Sequence, residues 1–152
     1  WINEVTGRSM ILWNGSCMVH ELFSVDTVLA LKRQHPGALV ISHPECPKPV
    51  RDVSDRIVGT AGMLKLAQSE RGRQFIVGTE ANMIYRLRKE APWNEYIPAP
   101  GASCACNLCP HMQKNTPEKL WECLHARAPR VEVPEALAVP ARRALDRMLA
   151  PA

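Results

Sequence analysis

The run Ala38-Leu39-Val40-Ile41-Ser42, followed by His43-Pro44-Glu45-Cys46, decides how this chain folds. Its apolar residues are bounded by His35-Pro36-Gly37 before and by a proline after, which reads as a buried strand of a parallel sheet. On the N-terminal side, Leu22, Val25, Val28, Leu29 and Leu31 recur at helical spacing between Glu21 and Gln34. On the C-terminal side the alternation continues. Pro49 to Asp55 reads as a short helix, Ile57-Val58 as a strand, Ala61 to Glu70 as a helix and Phe75 to Gly78 as a strand. Ala81 to Glu90 then reads as a helix and Tyr96-Ile97 as a strand. Strand alternating with helix predicts an α/β fold, a three-layer αβα arrangement around a mainly parallel sheet.

Outside this unit the expectations are a strand at Met10 to Trp13, ending in the turn signal Asn14-Gly15, and a long Pro/Gly/Cys loop from Pro98 to Pro110. A helix is expected from Thr116 to Ala126, with Thr116 as N-cap and Pro117 at the first position, where its missing N–H is not needed. Val131 to Val133 reads as a last strand and Pro134 to Leu149 as a last helix.

With 152 residues, 46% of them apolar, the chain is long enough to bury a core. A net charge of +4, spread among acidic residues, gives no basic stripe interleaved with aromatics, so nucleic-acid binding is not expected. No apolar run approaches the roughly 18 to 20 residues that span a bilayer, and no signal-peptide pattern opens the sequence, so a soluble, cytoplasmic protein with no membrane partner is expected. The first residue is Trp1 rather than Met, and the chain reads as a piece of something longer. Six cysteines in a chain with helix-length periodic segments suit metal or redox chemistry in a reducing compartment better than a disulfide framework.

Ligands of parallel sheets gather outside the carboxyl ends of the strands. Cys17 with His20, His43 with Glu45, Thr60, Thr79 with Glu80 and the cysteine loop all fall there. Cys104-Ala-Cys106-Asn-Leu-Cys109 is the densest cysteine group; its spacing alone leaves zinc, iron-sulfur iron, a redox disulfide and incidental cysteines open. Cys17 and His20, three residues apart, can face one pocket, although a buried cysteine beside a capping histidine fits the same spacing. His43 and Glu45 place an imidazole and a carboxylate at one strand end, a pairing suited to proton transfer or to a plain solvated turn. Gly59-Thr60-Ala61-Gly62 opens a helix where an anion could be received, without the lysine of a phosphate loop.

Taken in order, TGRSMILWNGSCMVHE (6–21), VISHPEC (40–46), IVGTAG (57–62), FIVGTE (75–80) and CNLCPHMQKNTPEKL (106–120) resemble the quinolinate synthase family, over about the second half of its length. The resemblance implies condensation of iminoaspartate with dihydroxyacetone phosphate to quinolinate, a precursor of NAD. It implies a 4Fe-4S cluster held by three cysteines with one iron open to substrate, and transient partnership with L-aspartate oxidase or dehydrogenase. Cys17 and Cys109 match the second and third ligands, and Cys104 and Cys106 the variable cysteines of the same loop. His20 and His43 match active-site histidines, Glu45 the catalytic carboxylate and Thr60 a substrate-contacting threonine. Gly59 and Ala61 stand beside Thr60 where the family commonly has Ser or Thr. The implied architecture is three similar α/β domains about a pseudo-threefold axis. Residues 1–17 would end the middle domain, 18–109 form the third, and 110–152 supply closing helices and a strand. A zinc-binding or disulfide-switched interaction domain built on Cys104, Cys106 and Cys109 is the alternative from another class, and a reversible Cys104–Cys106 pair beside the cluster is compatible with the first.

Overall fold

The computed structural model describes residues 1–99 and 107–150; Cys104 and Cys106, and with them most of the cysteine loop, lie outside the described residues. Two compact units are present, Trp1–Pro110 and His111–Ala152. In the first, α1 (Ile2–Thr6) precedes an irregular stretch and a single 3-10 turn at His20–Leu22. Then follow α2 (Val25–Gln34), β1 (Leu39–Ser42), α3 (Lys48–Asp52), β2 (Arg56–Ile57), α4 (Thr60–Ser69), β3 (Gln74–Gly78), α5 (Asn82–Glu90) and β4 (Glu95–Pro98). The second unit contains α6 (Pro117–Ala126) and α7 (Glu135–Leu149).

All four strands are parallel, in the order β2-β1-β3-β4. Because side chains alternate across a strand, the sheet serves two separate cores. Ile41, Phe75, Val77 and Tyr96 meet Met63 and Ala67 of α4 and Met83, Ile84 and Leu87 of α5 on one face. Val40 and Ile76 meet Val28 of α2, Val50 of α3 and the incoming residues Val19 and Phe23 on the other. Helices on both faces give the three-layer αβα arrangement expected from the alternation.

Chain order places the site. From β1 the chain moves outward to β2, then crosses back over β1 to β3, so the crevice between β1 and β3 is the point where strand order reverses. Gly78, paired with Ser42, keeps the two strand ends close: a Cβ on it would lie 3.3 Å from Ser42 Cβ. Its carbonyl accepts the His43 N–H at 2.9 Å and the Cys46 thiol at 3.4 Å.

Two expected strands are absent from the described residues. Met10 to Trp13 runs irregularly, with Ile11 and Trp13 exposed at 102% and 92%. An apolar run becomes a strand only when a neighbour takes its ladder hydrogen bonds, and no described strand lies beside this one. Val131 to Val133 is likewise irregular and exposed, flanked by Pro129 and Pro134, which offer no N–H to a ladder. The helix expected from Glu21 begins at Val25, because the turn at His20–Leu22 closes separately when the Phe23 N–H bonds His20 O. α6 follows expectation, with the Thr116 hydroxyl accepting the Lys119 N–H at 3.3 Å. None of the described helices is long and apolar enough to cross a membrane.

Candidate active site at the strand ends

Five residues from three segments meet at the crevice. The turn that precedes α2 buries His20, which is 6% exposed, and places Cys17 beside it. β1 delivers His43 and Glu45, and β3 delivers Thr79. The rings of His20 and His43 stack with centroids 4.4 Å apart and planes 14° from parallel. His20 Nε2 lies 3.2 Å from Thr79 Oγ1. His20 Nδ1 lies 3.2 Å from Glu45 Oε2 but off a good hydrogen-bond line, so this buried nitrogen has no well-formed partner despite the short distance. One ligand atom each from Cys17, His20 and Glu45 fall within 4.8 Å of one another.

Burial is the larger cause that lowers the pKa of both histidines, since it penalises the charged imidazolium. For His20 the neighbouring His43 lowers it further, and Glu45 opposes the shift. For His43 Glu45 alone opposes it. Both rings are therefore neutral at pH 7, each with one donor and one acceptor nitrogen. The Glu45 N–H reaches His43 Nδ1 at 3.3 Å, which makes Nδ1 the acceptor and leaves the proton on Nε2. For His20 the half-exposed Glu45 carboxylate, an acceptor only, favours the proton on Nδ1, with Nε2 receiving the Thr79 hydroxyl.

Glu80, next along the chain and 8% exposed, turns the other way. Its Oε1 accepts from the Cys109 N–H at 3.3 Å and from Asn82 Nδ2 at 2.9 Å, while Oε2 accepts the Asn82 N–H at 2.9 Å. A carboxylate at the start of α5 is favourably placed, and here it also anchors the end of the cysteine loop. Cys109 stands outside the Cys17, His20 and Glu45 trio, yet Cys17 and Cys109 are both half-buried and pack against the same core. Cys46 completes that core; burial pushes its thiol up to about 12.

Of the residues singled out from sequence, Cys17, His20, His43 and Glu45 are thus brought together. Thr60 opens α4 at the end of β2 and is exposed, and no described hydrogen bond, ion pair or ring contact joins it to that group. Thr79 and Glu80 were placed at a strand end without a role; their part depends on where their side chains point, which the sequence does not state. The cavity beside the trio, about 460 Å³, is lined by Cys17, Glu21, Glu45, Cys46, Lys48 and Arg51 among others.

A family model described as Quinolinate synthetase A protein matches residues 1–150. Proteins named quinolinate synthase are similar to this chain along nearly all of it. That of Synechococcus sp. is 43% identical over 152 residues, which are 99% of this chain and 48% of the relative. That of Synechocystis sp. is 44% identical over 151 residues, 99% of this chain and 48% of the relative. That of Chloroherpeton thalassium is 43% identical over 151 residues, 98% of this chain and 47% of the relative. The chain therefore spans about half the length of the relatives it matches, and with the family model matching residues 1–150 it belongs to the Quinolinate synthetase A protein family.

Proposed function

We propose that the chain is the C-terminal part of a quinolinate synthase, which condenses iminoaspartate with dihydroxyacetone phosphate to quinolinate in NAD biosynthesis. The observation that carries this reading is the convergence of Cys17, His20, His43 and Glu45 at the strand-order reversal of a chain in this family. The zinc-binding or disulfide-switched domain on Cys104, Cys106 and Cys109 is not favoured by a family match that covers residues 1–150.

The cofactor on this reading is a 4Fe-4S cluster with Cys17 and Cys109 as two of its three ligands. The donor chemistry fits: clusters are held by cysteine thiolates, and these two thiols are half-buried against one apolar core. When bound, a cluster with one iron free of protein ligands acts as a Lewis acid on a substrate oxygen or nitrogen. The chain's own residues do the rest. Glu45 is the proton-transfer group, exposed enough to reach substrate and backed by two neutral imidazoles. His43 Nε2–H donates to a substrate oxygen, and His20, held by Thr79, keeps the wall of the site from rotating. The Thr60 hydroxyl, at the first turn of α4, binds an anionic substrate group beside helix N–H donors. An aspartate oxidase or dehydrogenase would supply the unstable imine.

Anaerobic expression of the complete reading frame, with iron and sulfide analysis and a quinolinate assay, tests the reading. A brown protein with about four irons and four sulfides is expected. Cys17→Ser should abolish the iron signal; a colourless, iron-free wild type, or iron that survives Cys17→Ser, overturns it.

A further inference from the structure

We propose that, in the absence of a cluster, Cys17 Sγ, His20 Nδ1 and a Glu45 carboxylate oxygen hold a single zinc-class divalent ion, with a fourth position open to water.

The three donors are of the types zinc prefers, one thiolate, one imidazole and one carboxylate. Around a tetrahedral ion with bonds of about 2.0 to 2.3 Å, donor atoms stand about 3.3 to 3.7 Å apart. His20 Nδ1 and Glu45 Oε2 are already 3.2 Å apart, and no separation in the trio exceeds 4.8 Å. Closing the remaining gap takes about an ångström of side-chain rotation. Cys17 is half-buried, and the Glu45 side chain is 56% exposed, so both are free to supply it.

A second observation points to a ligand independently of the donor count. His20 is almost wholly buried, and its Nδ1, the atom turned toward the trio, has no well-formed hydrogen bond. That nitrogen has only the off-line Glu45 carboxylate beside it, at 3.2 Å, a poorly met demand that a bound cation would satisfy. Its other nitrogen is already seated: Nε2 faces Thr79 Oγ1 at 3.2 Å. Metal-bound histidines commonly have this arrangement, with the far N–H given to an oxygen that fixes tautomer and ring orientation. With an ion on Nδ1 the ring proton moves to Nε2 and is donated to the Thr79 hydroxyl. Binding releases the Cys17 thiol proton to solvent and changes no oxidation state. The cavity lined by Cys17 and Glu45 gives solvent access to the open position.

Three protein ligands with an open position match catalytic rather than structural zinc sites. The chain's ion site shares Cys17 with the proposed cluster, so the two occupants exclude each other. That exclusion rests on the proposed function; the ion's binding does not.

The full chain carrying Cys109→Ser, which removes the loop's last thiol from consideration, is purified metal-free under reductant and titrated with zinc alone against a chromophoric chelator. One equivalent is expected to bind, and adding Cys17→Ser or His20→Ala is expected to weaken it by tenfold or more. Cobalt in place of zinc should show a thiolate charge-transfer band that Cys17→Ser removes, and ¹⁵N spectra should show the His20 proton moving from Nδ1 to Nε2. Unaltered binding in both variants, with circular dichroism unchanged, overturns the site, as does a cobalt spectrum without the thiolate band. If variant folding fails, the wild-type cobalt and ¹⁵N spectra decide. In the complete protein, zinc loading should block cluster reconstitution in proportion to occupancy; full cluster uptake with zinc retained overturns the exclusion. A wild type that takes zinc but never a cluster defeats the proposed function and leaves the ion site standing.

Discussion

The carboxylate of Glu80 and the backbone of Cys109, 29 residues apart in sequence, are joined by a 3.3 Å hydrogen bond from the cysteine N–H. With the two bonds from Asn82, three donors converge on one buried carboxylate, and none of the described ion pairs supplies it with a cation. Glu80→Ala strands all three donors and should cost about 1 to 3 kcal/mol, read as a lower urea midpoint. Amide exchange across residues 107–109 should accelerate more than exchange in β1, whereas Glu80→Gln, which keeps one acceptor oxygen, should restore part of the protection. Unchanged exchange at Cys109 in the alanine variant would show that the bond does not hold the loop.

Thr79→Val keeps the shape of the side chain and removes only the hydroxyl that faces His20 Nε2. The expected loss is about 1 kcal/mol of stability. The His20 ring should also sample both tautomers, visible as averaged ¹⁵N shifts, while the His43 shifts stay on the Nε2–H form. A single unchanged His20 tautomer would assign its orientation to the ring stack with His43 instead.

Acid should weaken the fold earlier than carboxylate protonation alone would make it. Both His20 and His43 are lowered from 6.5, by burial first, so between that value and their folded values the unfolded chain binds more protons than the native one. Stability therefore rises with pH through this window. The neutral-ring contribution is fully present above about pH 6.5 and is lost as pH falls through the lowered folded values. Urea midpoints of the metal-free chain should be lower at pH 5.5 than at pH 7.5, and the difference should shrink in His43→Asn. A midpoint that rises on acidification contradicts the sign.

Cys46 should resist alkylation. With its thiol at about 12 and its sulfur buried against Gly78 O, almost no thiolate exists at pH 8. Mass spectrometry after iodoacetamide treatment should find the exposed Cys123 modified and Cys46 intact until denaturant is added. Labelling of both at similar rates would mean that the core around Val40 and Val50 opens freely.

The central sheet was legible because its strands are short apolar runs delimited by breakers. Leu39–Ser42 and Gln74–Gly78 lie within one residue of their expected bounds. The same rule failed at Met10–Trp13 and Val131–Val133, since an apolar run describes what a strand is made of and not whether a partner lies beside it. In the site, the i, i+3 spacing of Cys17 and His20 was readable as shared direction, and the His43 to Glu45 step as a strand end. The stacking of His20 on His43 was not, because it depends on how far α2 stands from β1. Nor was the division of labour between Thr79 and Glu80, whose partners lie 59 and 29 residues away.

That division has a consequence for anyone rebuilding this site. Thr79 and Glu80 are consecutive, and side chains that leave a strand end on alternate sides serve a histidine on one and a loop on the other. A one-residue insertion after Gly78 would set the inserted side chain opposite His20 and move the Thr79 hydroxyl to the place where the carboxylate now meets the cysteine loop, without altering a single core residue. Length at this point of the chain, more than composition, is what a graft of the site onto another parallel sheet would have to copy.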